Sequence, residues 1–355
     1  MAEYRTIDLF AGAGGLSLGF HLAGLENPDV AFDPVFAVEN DPAAVRSYKT
    51  NFGSPVWDAP IEGFADRDFP EADLIIGGPP CQGFSPLGRD RDSGSRAKLN
   101  SLWEHYLSAV ESVTPRAFVI ENVPEFQRSA QFNELLHRMR TGPTLHRYGI
   151  AYGVLNAADY GVPQTRRRGI FLAVLDREVA WPPRPTHGPG TSQPHRTVKD
   201  AIWDLPRRPT GTEPRMRPDG SQHLHFRRNP RPESLERYKA IPAGGNRFDL
   251  QRVRPDLTPR CWAEKPTGTT DVMGRLWWDR PSVTIRTEFF KPEKGRYLHP
   301  SAHRPITHRE AARLQSFPDW FIFEGSKIEI ARQIGNAVPP LLGKAIARHL
   351  AAHLV

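Results

Sequence analysis

The sequence predicts an α/β fold, a doubly wound sheet interrupted by a second, irregular domain. Three observations carry it. Apolar runs alternate with helical periodicity as far as Leu175, and a glycine-rich turn joins the first run to the first helix. Past Leu175 the alternation gives way to a Pro-, Arg- and His-rich stretch. Strands alternating with amphipathic helices mark βαβ units, and 355 residues suit about two domains.

The elements follow in order. Thr6 to Phe10 reads as a buried strand, and the helix after its glycine turn covers Leu16 to Ala23. Val35 to Glu39 is the next strand. Pro42, pre-set for a first helical turn, leads into Ala43 to Asn51, with Asp41 as the capping residue. Leu74 to Gly78 is a third strand, and Leu102, Tyr106, Ala109, Val110 and Val113 recur at helical spacing. Ala117 to Asn122 and Ile170 to Val174 return as strands. In the irregular stretch only short periodic runs survive, such as Val198 to Trp203. Helical pattern resumes at Arg309 to Gln315 and closes the chain at Pro340 to His349.

Charge is concentrated in that stretch. The chain carries a net +7, yet Arg184 to Arg260 alone holds 14 Arg and 2 Lys against 8 acidic residues. Arginine's planar fork suits phosphate and guanine edges, so a polyanion is the expected partner; a merely solvated surface is the plainer reading. Two cysteines, Cys81 and Cys261, make neither a disulfide framework nor a zinc ligand set, which suits a reducing compartment. No stretch approaches the ~18 apolar residues of a membrane span, and the expectation is a cytoplasmic protein.

Cys81 stands in Gly77-Gly78-Pro79-Pro80-Cys81-Gln82-Gly83-Phe84-Ser85, directly after an apolar run. The prolines exclude helix interior and central strand, leaving a stiff corner at a strand's carboxyl end, where α/β sheets place their chemistry. A buried thiol is the ordinary fate of free cysteine; here a nucleophile is the better reading. Asp8-Leu9-Phe10-Ala11-Gly12-Ala13-Gly14-Gly15-Leu16 lets backbone approach a ligand, although Ser17 replaces the third glycine of the dinucleotide fingerprint. Glu39 ends a strand where a carboxylate grips ribose hydroxyls, and Asp58 is placed to hold an adenine amino group. At this point NAD and S-adenosylmethionine both remain open.

Glu121 and Asn122 end another apolar strand, and Gln164-Thr165-Arg166-Arg167-Arg168-Gly169 leads into the next. Alternation along a strand puts Arg166 and Arg168 on one side. With Gln333-Ile334-Gly335-Asn336 the set is complete: Phe-x-Gly-x-Gly, Pro-Cys-Gln, Glu-Asn-Val, Gln-x-Arg-x-Arg and Gly-Asn, in that order. The chain resembles the DNA cytosine-5 methyltransferases of bacterial restriction–modification systems, from Thr6 to about Leu175 and from Gly274 to Leu350. Trp181 to about Val272 matches in position only, where that family places its variable target-recognition region. Pro281-Ser282-Val283-Thr284-Ile285 resembles the motif that organises it.

The resemblance implies a Rossmann-like S-adenosylmethionine-dependent methyltransferase domain, residues 1–178 with 336–355, and an inserted target-recognition domain, 179–307, with 308–335 as a hinge segment. It implies Cys81 as the nucleophile, Glu121 at the base's N3 and exocyclic amine, and Arg166 and Arg168 at its O2. It implies S-adenosyl-L-methionine against Phe10, Ala11, Gly12, Gly14, Gly15, Leu16, Glu39, Asn40, Asp58, Ala59, Pro79 and Asn336, with no metal. The expected partners are duplex DNA with a specific site and a cognate restriction endonuclease; the enzyme is expected as a monomer. A stacked cytosine hides C6 from a thiol, so the base must flip out. Phe84 to Asn100 suits a closing lid, with Ser85 near the flanking phosphate.

Three rivals stand beside this reading. A tRNA cytosine-5 methyltransferase shares the chemistry but needs no basic insert of this size. An NAD-dependent oxidoreductase leaves Pro-Pro-Cys-Gln unexplained. A non-catalytic DNA-binding relative has no use for intact Cys81, Glu121, Arg166 and Arg168.

Overall fold

The structure, a computed structural model, describes residues 2–64, 69–80, 102–264, 267 and 269–354. Cys81, Ser85 and the expected lid at Phe84 to Asn100 lie outside them. Along the chain run β1 (Ala2–Leu9), α1 (Gly15–Glu26), β2 (Val30–Glu39), α2 (Pro42–Phe52), β3 (Val56–Asp58) and β4 (Leu74–Gly77). Then come α3 (Leu102–Val113), β5 (Ala117–Asn122), α4 (Ala130–Thr141), β6 (Tyr148–Asn156) and β7 (Arg167–Leu175). The short elements α5 (Val198–Ile202), β8 (Arg215–Met216), β9 (Gln222–His223), α6 (Pro232–Ala240), α7 (Arg247–Val253) and α8 (Arg260–Ala263) follow. The described chain ends with α9 (His308–Leu314), α10 (Lys327–Asn336) and α11 (Pro340–Leu354).

The chain divides into two compact units, one of residues 1–161, 166–192 and 337–355, the other of 162–165 and 193–336. The segment 308–335, read from sequence as a hinge, falls in the second unit. The first unit is built on a sheet of order β3-β2-β1-β4-β5-β7-β6. Strands β3 to β5 are mutually parallel, and strand order reverses between β1 and β4. Open α/β sheets bind their ligands at the carboxyl ends beside such a reversal. Ile7, Leu9, Ile75, Phe118, Ile120 and Phe171 pack there with Tyr106, Leu107 and Val110 of α3 and Phe132 and Leu135 of α4. On α1, Gly19 has no room for a side chain: a Cβ would stand 2.5 Å from the Pro340 carbonyl and 2.7 Å from Gly343. Two facing glycines thus let α1 and α11 pack closely.

The far edge of the sheet departs from the simple alternation. Strand β7 runs antiparallel to β5 and to β6. The link from β6 to β7 is too short for a crossover helix, and a short link makes antiparallel neighbours. Strand β6, with two glycines in Tyr-Gly-Ile-Ala-Tyr-Gly, carries little strand signal of its own. Its pairing of Asn156 with Arg167 and Leu155 with Arg168 starts β7 at Arg167, upstream of the expected Ile170. At the other end of the fold β1 stops at Leu9, because Phe10 adopts φ 59°.

The second unit is irregular, as its composition indicates, and holds itself together with buried polar groups. Tyr238, Ile241, Leu250, Met273 and Leu298 form a small core. Beside it the Arg275 guanidinium donates to the carbonyls of Tyr238, Ile241, His299 and Ala302 at 2.6 to 3.1 Å. The fully buried Glu310 accepts two hydrogen bonds from Arg304, at 2.7 and 2.8 Å. Burial alone would raise the Glu310 pKa; the Arg304 fork outweighs it and holds the carboxyl at about 2. Some of the arginine in this half is therefore scaffold. Arg247 is the buried one of the Arg184–Arg260 set, while Arg208, Arg215, Arg227 and Arg231 are exposed.

Candidate active site

The carboxyl ends of β1, β2 and β3 build one half of the site. After β1 the chain turns through Phe10 at φ 59° and Gly12 at φ 56°. A left-handed phenylalanine is uncommon and points to a constrained, functional turn. A Cβ built on Gly12 meets nothing within 4 Å, so the backbone here opens outward. Gly14 differs: its Cβ would sit 2.3 Å from the Phe52 ring, so this glycine serves packing. Ala11 ties the turn back to β2 through its N–H to the Val38 carbonyl at 3.1 Å. Gly15 and Leu16 are buried, Leu16 with its side chain against Gly343.

Glu39 organises the turn. One carboxylate oxygen accepts the Gly12 N–H at 2.8 Å; the other accepts those of Asn40 at 2.9 Å and Asp41 at 2.7 Å. Burial pushes the carboxyl up, and these three donors pull it down, with a net rise. Asp41 caps α2, accepting from Ala43 and Ala44, so the cap and the Glu39 site coexist. Strand pairing sets Asp58 opposite Glu39 at the ends of β3 and β2. Asp58 and Asn40 are exposed and Ala59 half-buried beside them.

Beneath the turn lies a cluster with no assigned role in the sequence reading. Gly14 caps α1 without a side chain, and the buried Asp8 supplies what it lacks. Its carboxyl accepts from the Ser17 hydroxyl at 2.6 Å and from the Ser17 N–H, while the Tyr48 hydroxyl stands 2.9 Å from that of Ser17. Burial raises the Asp8 pKa to about 7, Ser17 opposing and Glu39 adding to the rise.

The other half forms where β4 and β5 end and β7 begins. Arg168 Nε lies 2.8 Å from Glu121 Oε1, both side chains largely buried. The second Glu121 oxygen lies against Gly78, where a Cβ would stand 2.9 Å from it. Asn122 Nδ2 donates to the Pro79 carbonyl at 3.1 Å and so ties β5 to the Pro-Pro turn that precedes Cys81. Pro79 itself is buried. Arg166, Arg167 and Arg168 are respectively buried, exposed and half-buried, the alternation expected of a strand. Arg166 donates to the Ala337 carbonyl at 3.0 Å, holding the residue next to Asn336. Asn336 is exposed at the end of α10 and belongs to the other unit.

The preceding glutamine belongs to the second unit too. Gln164 is fully buried; its Oε1 accepts the Ile285 N–H at 2.8 Å and its Nε2 donates to Gln315 Oε1 at 2.8 Å. Thr165 and Ser282 pair through backbone, N–H to carbonyl, at 2.8 Å. The Pro281–Ile285 stretch thus meets Gln164 and Thr165 directly.

Among the described residues no group of acidic, His or Cys side chains is placed to hold a metal, and no helix is long and apolar enough to cross a membrane. The family model for C-5 cytosine-specific DNA methylases matches residues 4–352. Type II methyltransferase M1.HphI of Haemophilus parahaemolyticus is 34% identical over 96% of this chain and 85% of its own length. Type II methyltransferase M.XorII of Xanthomonas oryzae is 35% identical, over 96% of this chain and 82% of its own. A solved E. coli structure, described as a prophage-encoded DNA modification methyltransferase, superposes with TM-score 0.71 at 27% identity, covering 98% of each chain. The chain therefore belongs to the C-5 cytosine-specific DNA methylase family and is a DNA (cytosine-5) methyltransferase.

Proposed function

We propose that the enzyme transfers a methyl group from S-adenosyl-L-methionine to C5 of a cytosine flipped out of a specific duplex sequence, through a covalent bond from Cys81 to C6. It acts as a monomer in the cytoplasm, protecting DNA from a restriction endonuclease of the same specificity. The Type II names of its relatives support the pairing. The observation that carries the chemistry is the Glu121–Arg168 pair beside Gly78 and Pro79, two residues before Cys81.

The donor fits the first half of the site. Gly12 offers backbone with open space before it, and Glu39 Oε2 keeps a lone pair beyond its bond to Gly12. Phe10, Glu39, Asn40, Asp58, Ala59 and Pro79 would hold the donor. Bound there, the donor would supply an electrophilic methyl on a sulfonium, whose sulfur departs as a neutral thioether when the carbon–sulfur bond breaks.

Cytosine C5 is too weak a nucleophile to take that methyl unaided. The Cys81 thiolate adds to C6, and the displaced π electrons make C5 an enamine carbon, which is covalent catalysis. Glu121 holds N3 and the exocyclic amine as charge develops on the ring, and Arg168 and Arg166 hold O2. Once C5 carries the methyl, loss of its proton to base regenerates the C5–C6 double bond and expels the thiolate. The second unit, with its exposed arginines, serves as the target-recognition domain.

Duplex DNA with fluorine at C5 of the target cytosine tests this. Neither thiolate addition nor methylation breaks the carbon–fluorine bond, but release needs the C5 substituent to leave as a cation. We expect an SDS-resistant protein–DNA band that needs the methyl donor and is absent in Cys81→Ser. Bisulfite sequencing of host DNA after expression supplies the target sequence. An adduct with fluorinated tRNA and none with duplex DNA overturns the DNA reading in favour of the RNA one.

A further inference from the structure

Trp277, half-buried in the second unit, carries two guanidinium groups. That of the buried Arg296 lies 4.1 Å from the ring centre and that of the exposed Arg280 4.6 Å, both within range of cation–π attraction. The ring is held in place. Gly244, at φ 67°, admits it, since a Cβ there would stand 2.4 Å from Trp277 Nε1. Arg296 is fixed in turn, donating to the carbonyls of Gly244, Gly245 and Arg275 at 2.8 to 3.2 Å. The backbone of Arg280 is tied to the start of α5. Its carbonyl accepts the Val198 N–H, and that of Trp278 accepts the Lys199 N–H, both at 3.0 Å.

The guanidinium of Arg280 is oriented but not used up. Among the described residues it makes no side-chain hydrogen bond. Its ionic contact is with Asp279, Nε to Oδ1 at 3.7 Å, too long for a hydrogen bond, and both side chains are more than half exposed. Other exposed arginines of the unit differ. Arg228 also lies over a ring, Phe290, but already donates to the Phe290 carbonyl. Arg207 stands 5.9 Å from the Trp203 ring, which Lys199 approaches more closely at 5.2 Å.

A phosphate and a base edge ask different things of an arginine. A phosphate is drawn by net positive charge. Beside Asp279 that charge is offset, and a phosphate would meet the carboxylate as well. What remains is a planar fork, held against a ring with its outer donors free, so little freedom is lost when they are used. A guanine edge suits such a fork, because O6 and N7 accept two parallel N–H groups. Any duplex around a target cytosine offers at least one guanine, the partner of that cytosine. We propose that Arg280 is a specificity-determining residue that reads O6 and N7 of one guanine in the target sequence. The inference rests on the reading of the second unit as the target-recognition domain.

Sequencing of plasmid DNA methylated by the wild type gives the site. Duplexes that carry it, with each base pair changed in turn, are then compared as substrates and as competitors in donor-free binding. Arg280→Gln should lose tenfold or more of the preference for guanine at one position and keep it elsewhere, with the salt slope of binding unchanged. Arg280→Lys, which keeps the charge without the fork, should lose it too. Replacing that guanine by 7-deazaguanine, which lacks the N7 acceptor, should weaken wild-type binding severalfold and leave Arg280→Gln indifferent. If Arg280→Gln still responds to that change, its role is structural and the proposal fails. Equal weakening on all sequences with a shallower salt slope would make Arg280 a phosphate contact and overturn the proposal, as would full specificity in either variant. Each readout is a ratio between sequences, so its failure leaves methyl transfer standing. A wild type that selects among no duplexes overturns the target-recognition reading, and this inference with it.

Discussion

Arg168 and Glu121 face each other across two antiparallel strands, Nε to Oε1 at 2.8 Å, each the other's charge partner in a largely buried position. Breaking such a pair from one side leaves an uncompensated charge, at a cost of about 3–5 kcal/mol when burial is complete.

Because each residue positions the other, their losses should not add. Glu121→Gln and Arg168→Ala should each lower kcat/KM by about 100-fold or more, and the double variant little further. A double-mutant cycle on tritiated methyl transfer measures this. Additive losses would mean that the two contact the base independently.

Asp8 should make stability depend on pH. Its carboxyl binds a proton up to about pH 7 when folded, against the ordinary aspartate value of 3.8. Between these values the folded state holds the proton and the unfolded state does not, so stability is greatest below about pH 4 on this account and falls as pH rises to about 7. At about 1.4 kcal/mol per unit, the full shift is worth roughly 4 kcal/mol. Asp8→Asn should flatten the decline, gaining on the wild type between pH 5 and 8 in guanidinium melts. A parallel pH profile would place the titration elsewhere.

The two turn glycines should fail differently. Gly14→Ala puts a methyl 2.3 Å from the Phe52 ring and should cost stability, roughly 1–3 kcal/mol by denaturant unfolding. Gly12→Ala meets open space and suffers only the left-handed backbone, about 1 kcal/mol, but obstructs the ligand side of the turn. We expect it to raise the donor KM tenfold or more with the fold intact. Unchanged donor binding would remove Gly12 from the cofactor site.

Salt dependence should report on the exposed arginines. Neutralising Arg227, Arg228 and Arg231 should weaken DNA binding and reduce the slope of log affinity against log salt by about 0.9 for each lost phosphate contact. A residue that reads a base instead relaxes specificity at one position. An unchanged slope would make the cluster ordinary surface.

Local signals in the chain reach as far as local physics does. The alternation of apolar runs with helical periodicity, the Pro42 start of α2 and the Asp41 cap are decided within a few residues, and all are legible in the one-dimensional string. So are the motif residues, since each is a chemical type at a strand end. Strand β6 was not legible, because its glycines weaken the strand signal and only β7 supplies a partner. With β6 goes the start of β7 at Arg167, and hence the strand position from which Arg168 reaches Glu121. The Asp8 proton depends on desolvation by neighbours that are distant in sequence. The sequence alone determined which residues were available for chemistry and most of the elements that carry them. Tertiary structure decided their pairing, burial and protonation, because these energies arise from contacts between residues the chain order keeps far apart.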